Sequence, residues 1–479
     1  MNQQEIAKGI ERDGLQPGLK PRHIQMIALG GVIGAGLFVG ASVVVKNAGP
    51  AAIISFLITG ILIVLVMRML GELASSMPAT GSFYEYARQA CNENVVLSKI
   101  AGFTTGWSYW YFWCMVVTFE TLAAAKLVHY WYPDLPGWMI SVVFLALMTL
   151  TNLYSVKSFG EFEFWFASIK VAAICVFLLF GTLYMLGMWP SHAFSGLNIM
   201  LSNGGFAPNG WGPVLAGAVA ATGFYCGAEL CTIAAAETAD PVKSVAKATS
   251  SVISRVLLFY VGSIFFVVCI VPWNSEAISF PYVSALTIMK VPYAPDIMNA
   301  VILVAVLSCL NSGIYATSRM LFALTRHGDA PKFVAKLSKN GVPRNAVLLS
   351  TVIAWLATVA SIMNDDIMTF LVESYGTAAI FVYVCIAFSQ IKLRNRMERE
   401  DPSKIRVKMW GFPYLSYVTI AGMLIIMLSM AFIPSQQMAF WFGMAAIGTI
   451  VICGALRVFF GQQETVRINI DEVEAKTNH

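Results

Sequence analysis

Charge is what this sequence has least of. Only 12% of its 479 residues are Asp, Glu, Lys or Arg, against about 25% in an ordinary soluble domain. Another 58% are hydrophobic, with a mean hydropathy of +0.70. So sparse a charged surface excludes a water-soluble globule and implies an integral membrane protein. The formal net charge of +5 does not point to nucleic acid, because the basic residues lie in short segments between apolar runs and form no single patch. The nine cysteines contain no CxxC pair and mostly sit inside apolar runs, which argues against a disulfide framework or a metal site. Histidine is scarce, and His23, His129, His192, His327 and His479 fall in loops or at run ends, so no histidine proton relay is expected. The apolar runs lack HExxH, GxSxG and paired-carboxylate motifs, which argues against an embedded enzyme, and no cofactor beyond a coupling proton is expected. No cleavable signal is visible, because the first 23 residues are polar and the first apolar run is too long and glycine-rich to be one. The N-terminus is therefore expected in the cytoplasm.

What is present is a series of long apolar runs. A span needs about 20 mostly apolar residues, and twelve can be read: roughly 24–48, 50–70, 98–132, 138–156, 163–187, 211–236, 251–273, 296–320, 343–363, 367–391, 412–433 and 437–460. Lys and Arg set the orientation. With the N-terminus inside, the cytoplasmic segments hold Lys8, Arg12, Lys20 and Arg22, then Lys243, Lys247 and Arg255, then the cluster from Arg319 to Arg344 and the run from Lys392 to Lys408. The opposite side holds only Lys46, Lys126 and Lys290, so both termini are expected in the cytoplasm. The connection at 188–210 is rich in Gly, Pro, Ser and Asn and reads as an external loop. It divides a first set of five spans (24–187) from a second (211–391). A basic cytoplasmic loop (392–411), two more spans (412–460) and a polar tail (461–479) follow. Five is odd, so the second set runs with inverted topology, an arrangement found in many secondary transporters.

Glycine is concentrated where a span should be continuous. GGVIGAGLFVG at 30–40 places five glycines in the first span, and each costs about 1 kcal/mol relative to alanine in a helix. The matching sixth span, LAGAVAATGFYCGAELCTIAAAE, carries Gly223 and Gly227 near its middle. Two breaks at matching depth are tolerated only where they line a cavity. N–H groups freed there can hold a carboxylate and freed carbonyls an ammonium, which suits a zwitterion. Alternatively, Gly36 and Gly40 form a small-xxx-small pair that packs helices closely.

Ionisable residues at bilayer depth are costly and invite functional readings. Lys170, inside the fifth span, is the first candidate for the coupling proton, since burial disfavours its charged form; the alternative is a stem that snorkels to the surface. Ser308 and Ser312 are candidate hydroxyl partners at similar depth, or they bond their own backbone. Glu120 is expected to line the path and meet a substrate amine, or else to be structural. Glu229, next to the second break, either fixes its geometry or joins proton transfer, and Glu237 reads as part of a cytoplasmic network.

Over nearly its whole length the chain resembles bacterial amino-acid permeases of the amino acid, polyamine and organocation superfamily. The resemblance rests on LKPRHIQMIALGGVIGAGLFVG, MRMLGELASSMPATGSFYEYA, SVKSFGEFEFWFASIKV, IAAAETADPVKSVAKAT and CLNSGIYATSRMLFALTRHGDAPK. It implies an all-α membrane fold of twelve helices, leucine-transporter-like, with a 5+5 inverted repeat and broken first and sixth helices, working by alternating access as a proton-driven importer in the bacterial inner membrane. By the family pattern Ile33, Gly34, Ala35 and Gly36 bind the substrate carboxylate, the stretch Phe224, Tyr225, Cys226, Gly227 binds the amine and shapes the pocket, and Lys170 matches the lysine of proton coupling. Within the family the chain is most similar to the 4-aminobutyrate (GABA, gamma-aminobutyric acid) branch. Ile33 to Gly36 stands where many α-amino-acid relatives have IGTG, and TIAAAE at 232–237 and SCLNS at 308–312 also fit that branch. Where relatives often read FSF before the second break, this chain has Gly223, Phe224 and Tyr225. Their side chains are expected to face the pocket, Phe224 shortening it and Tyr225 adding a hydroxyl. A permease or exchanger for another amino acid is the alternative.

Overall fold

The computed structural model describes residues 19–79, 81–190, 197–238, 240–338, 340–360 and 367–477, and among these it is helical with no strand. Lys8 and Arg12, the middle of the long connection (191–196) and Lys339 lie outside the described residues.

Helix α1 (Pro21–Gly30) starts on a proline, which lacks the N–H that a first helical turn leaves unpaired in any case. After an irregular stretch, a π-helical turn at Gly36–Gly40 leads into α2 (Ala41–Ala48), and Gly49, at φ +65°, passes the chain to α3 (Ala52–Ser76). A short helix α4 (Phe83–Ala90) precedes α5 (Val95–Val128), whose start is set by the Asn94 side chain accepting the Val96 and Leu97 N–H groups. Next come α6 (Gly137–Tyr154) and α7 (Val156–Met185), separated by the single extended residue Ser155, which caps the Ser158 N–H. The long connection contains a short helix, α8 (Leu197–Ser202). Helix α9 (Gly212–Tyr225) is followed by four turn residues, then α10 (Leu230–Ala234) and α11 (Pro241–Ile270), which Asp240 caps. The remainder is α12 (Pro281–Ile288), α13 (Ala294–Arg326), α14 (Arg344–Ala360), α15 (Ile367–Glu400), α16 (Tyr414–Ser429) and α17 (Gln437–Thr477).

Nine helical runs among the described residues are long and apolar enough to cross a membrane, and Leu257–Ile270 and Arg344–Ala360 are shorter apolar segments. The chain is a multi-pass membrane protein. Burial sorts the runs by position. The most apolar window of Gly212–Ala234 is 94% buried, whereas those of α6, α7 and α17 are 28% buried. The outer helices present Leu147, Leu150, Trp165 and Leu179 outward, as a lipid-facing surface requires. Helix α5 runs through the centre, packing on α13, α14, α15 and α17, while α1 lies against α7 and α11.

Two polar segments differ from expectation. The stretch after 392, read as a loop, continues α15 to Glu400, and the stretch after 460, read as a tail, continues α17 to Thr477. Charged side chains mark where a helix leaves the bilayer, not where it ends, and Arg394 and Glu398 pair at 2.8 Å across one turn. Helix α7 likewise begins at Val156 rather than near 163.

Candidate functional site

The two interrupted helices meet where they are interrupted. Gly227 adopts φ +120°, and a Cβ there would overlap the Gly31 carbonyl and come within 2.9 Å of the Val32 nitrogen. A Cβ on Gly31 would in turn lie 2.9 Å from the Gly227 oxygen. Only glycine allows backbone to cross backbone so closely. Above this crossing, Gly36 and Gly40 both face the Phe224 ring, so the small-xxx-small reading and the broken-helix reading hold together. The Tyr260 hydroxyl lies 2.7 Å from the Val32 oxygen and 2.6 Å from the Phe224 oxygen, sharing its one proton between carbonyls of both breaks.

A cavity opens beside the crossing, lined on the glycine side by Gly31, Gly34 and Gly36 and opposite by Glu120, Phe224, Cys226, Cys309 and Tyr375. Its free volume is about 10 Å³, the scale of one water. A molecule of amino-acid size enters only if the walls part. Gly34, Gly36, Glu120, Phe224 and Cys226 were expected at such a pocket and line it. Tyr225 does not: its hydroxyl donates to the Phe56 carbonyl at 2.9 Å and its ring packs on Tyr260. Successive helical residues are about 100° apart, so Phe224 and Tyr225 cannot face the same way. Ile33, Ala35 and Gly227 contribute backbone rather than lining side chains.

A lysine amine and a glutamate carboxyl hold the two ends of the first break. Lys170 is fully buried, which excludes snorkelling, and its ammonium donates to the Gly30 and Ile33 carbonyls, the latter at 3.0 Å. Both Glu120 carboxylate oxygens accept the Ala35 N–H at 3.1 Å. An amine donor at freed carbonyls and a carboxyl acceptor at a freed N–H match the polarity of the helix ends they meet. The Ala35 donor, expected to meet a substrate carboxylate, thus faces an internal one.

The serines fall elsewhere than expected. Ser308 donates to both Glu163 oxygens, at 2.8 and 2.7 Å, and does not bond Lys170. Ser312, one turn on, is buried and faces the Glu163 carboxyl rather than Lys170. A hydroxyl can accept from an ammonium, so the reason is placement: the helix crossing puts the Gly30 and Ile33 carbonyls at Lys170 and the Glu163 carboxyl at Ser308. Glu163, 3.8 Å from the Lys170 nitrogen and equally buried, is the residue the sequence reading passed over. Its spacing of seven from Lys170 puts both on one helix face, and that was the available signal.

Glu229 sits at the second break and not with Lys170. One of its oxygens accepts the Gly227 N–H at 2.9 Å, and the Tyr109 and Tyr383 hydroxyls complete its shell. That geometry fits the structural reading of Glu229 rather than proton transfer. Nearer the chain's basic segments, Glu237 accepts from Arg319 at 2.8 Å and from the Tyr315 hydroxyl at 3.0 Å, and Glu72 accepts from Arg394 at 2.6 Å.

Comparison with known proteins agrees with this architecture. Residues 23–461 match the amino acid permease family. The gamma-aminobutyric acid permease of Bacillus subtilis strain 168 is 45% identical over 428 residues, covering 89% of this chain and 90% of the relative. The gamma-aminobutyric acid permease of Escherichia coli strain K12 is 43% identical over 437 residues, covering 90% and 92% respectively. A probable GABA permease of Pseudomonas aeruginosa is 44% identical over 428 residues, covering 88% of each chain. The chain belongs to the amino acid permease family.

Proposed function

We propose that this protein imports GABA or a closely related small amino acid across the bacterial cytoplasmic membrane, as a proton symporter working by alternating access. The observation that carries the reading is the glycine-to-glycine crossing of two broken helices beside a closed cavity, in a chain some nine-tenths of which aligns with relatives named for GABA. Twelve spans are supported by dividing the long run Gly36–Ser76 at Gly49 and counting the two shorter apolar helices. An inverted pairing of spans 24–187 with 211–391 fits a break in the first span of each set. The bias of Lys and Arg toward one side of the spans supports both termini inside.

In this reading the substrate carboxylate competes with Glu120 for the N–H groups at Gly34 to Gly36. The amine meets freed carbonyls near Phe224 and Cys226. Lys170 carries the coupled proton, with Glu163 as its counter-charge and Ser308 holding that carboxylate. Loss of the proton from Lys170 weakens its hold on the Gly30 and Ile33 carbonyls, and so links protonation to the geometry of the first break. One pH unit supplies about 1.4 kcal/mol, or tenfold accumulation per proton.

The test is uptake of labelled GABA into proteoliposomes with and without an inward proton gradient. Accumulation that requires the gradient is the expected result. GABA exclusion with entry of other amino acids would overturn the substrate, and GABA accumulation to the same level with and without the gradient would overturn proton symport.

A further inference from the structure

We infer that a groove between α15 and α16, remote from the transport cavity, binds the headgroup of an anionic phospholipid. The groove has a volume of about 360 Å³. Lys392, Arg396 and Arg399 rise from one face of α15, at the spacing of four and three residues that aligns side chains on a helix. Arg394, between them, turns the other way to Glu72, so the three cations are set apart from the buried network. Below them the same wall becomes apolar, with Phe388 and Ile391 from α15 and Ile420 from α16.

Two of the cations are uncommitted. Lys392 and Arg399 have no ion-pair partner among the described residues, and the Arg399 Nε donates only to the Asn395 carbonyl at 3.2 Å. Arg396 is held in place by donating to the Gln89 carbonyl at 3.0 Å. Glu93 is the one acidic residue lining the groove; it stands 3.9 Å from Arg396 with 75% of its side chain exposed, free to swing away. Three cations against one mobile carboxylate form a phosphate-binding rim.

The position selects a lipid over a soluble anion. The cations stand where α15 passes from apolar to charged, and Trp410, Tyr414 and Tyr417 are exposed at the same end, as aromatic residues are at a membrane interface. A phosphodiester at that level meets the cations while its chains run down the Phe388, Ile391 and Ile420 wall. Basic pockets between spanning helices bind acidic headgroups in this way, at about 1 kcal/mol per cation near the surface.

Native mass spectrometry of the purified full chain, exposed separately to phosphatidylglycerol and to phosphatidylcholine, tests the site. The wild type is expected to retain phosphatidylglycerol preferentially. The Lys392→Gln/Arg399→Gln double variant, which spares the Arg396 anchor, is expected to lose about tenfold or more of that retention. The charge-preserving Lys392→Arg/Arg399→Lys variant should keep it, and gel-filtration profiles verify that all three chains are folded. Equal retention of both lipids, or unchanged retention in the double variant, overturns the inference. Displacement of phosphatidylglycerol by millimolar inorganic phosphate also overturns it, in favour of a soluble-anion site. None of these readouts depends on GABA transport, so this site and the transport reading stand or fall separately.

Discussion

The five glycines of the 30–40 stretch meet four distinct sets of neighbours: Gly30 faces Glu163, Gly31 faces Gly227, Gly34 faces Cys309 and Glu120, and Gly36 and Gly40 face Phe224. The cluster is thus several local fits, not one flexible hinge. A methyl at Gly36 would come within 2.7 Å of the Phe224 ring, and overpacking of that kind costs about 1–3 kcal/mol. Gly36→Ala is expected to lower thermal stability and uptake, and adding Phe224→Leu to restore part of both; a double-mutant cycle with no coupling would refute the contact. Lys170 calls for a paired test as well. Removing it alone leaves the buried Glu163 uncompensated, which destabilises by about 3–5 kcal/mol, so Lys170→Met/Glu163→Gln is the informative variant. It is expected to fold and to exchange GABA in counterflow, but not to accumulate GABA on a proton gradient. Gradient-driven accumulation by this variant would remove Lys170 from the coupling role. The sequence alone exposed Lys170, because a lysine inside an apolar run is conspicuous. It did not expose which acceptor that lysine takes, because the choice among Gly30, Ile33, Ser308 and Glu163 depends on how separate helices cross.

At the scale of elements, the breaks were legible and their linkage was not. Glycines interrupting two apolar runs announce interruption, whereas Tyr260 sits in α11 as one more aromatic residue in a membrane segment. Only the fold brings its hydroxyl to carbonyls of both breaks. Tyr260→Phe strands two buried acceptors, at about 1–3 kcal/mol each where water cannot reach them. The expected outcome is slower uptake with substrate affinity changed less than turnover, and an unchanged turnover would show that the two breaks move independently. Helix ends were harder to read than helix centres, as α15 and α17 illustrate, since charge signals exit from lipid and not loss of helix. The helix α4, outside the apolar runs, offers a pH test. Burial pushes the Glu85 carboxyl up, but hydrogen bonds from His327 and Gln89 and the charges of His327 and Arg88 outweigh it, and the net direction is down. A carboxyl depressed on folding stabilises above its unfolded value and loses that contribution as pH falls through the folded one. Glu85→Gln should therefore be less stable than wild type at neutral pH, and the gap should close below about pH 4. A gap that persists at lower pH would mean that packing, not charge, holds the site.

For the molecule as a whole, a cavity of about 10 Å³ at the crossing means that transport requires the helices around it to separate. Apart from Lys170–Glu163 at the first break, the Arg319–Glu237 and Arg394–Glu72 pairs are buried away from that cavity, toward the segments rich in Lys and Arg. Arg319 joins Glu237 and lies over the Tyr315 ring at 4.3 Å, and Phe159 stacks on that ring from α7. Beside them the Leu19 N–H donates to the Glu237 carbonyl at 3.0 Å, tying the start of α1 to the segment after α10. Helices from both halves of the chain therefore converge on Glu237, which makes this network the natural bar to opening on that side. Removing either charge alone would leave the other buried, so both must go. In Glu237→Gln/Arg319→Gln, amide hydrogen exchange should rise in Leu19–Ile27 and in the last turns of α13, while α9 keeps wild-type protection. Faster exchange throughout the chain would indicate general loss of stability, and unchanged exchange at α1 would mean that packing of Tyr315 and Phe159, rather than the ion pair, keeps that side closed.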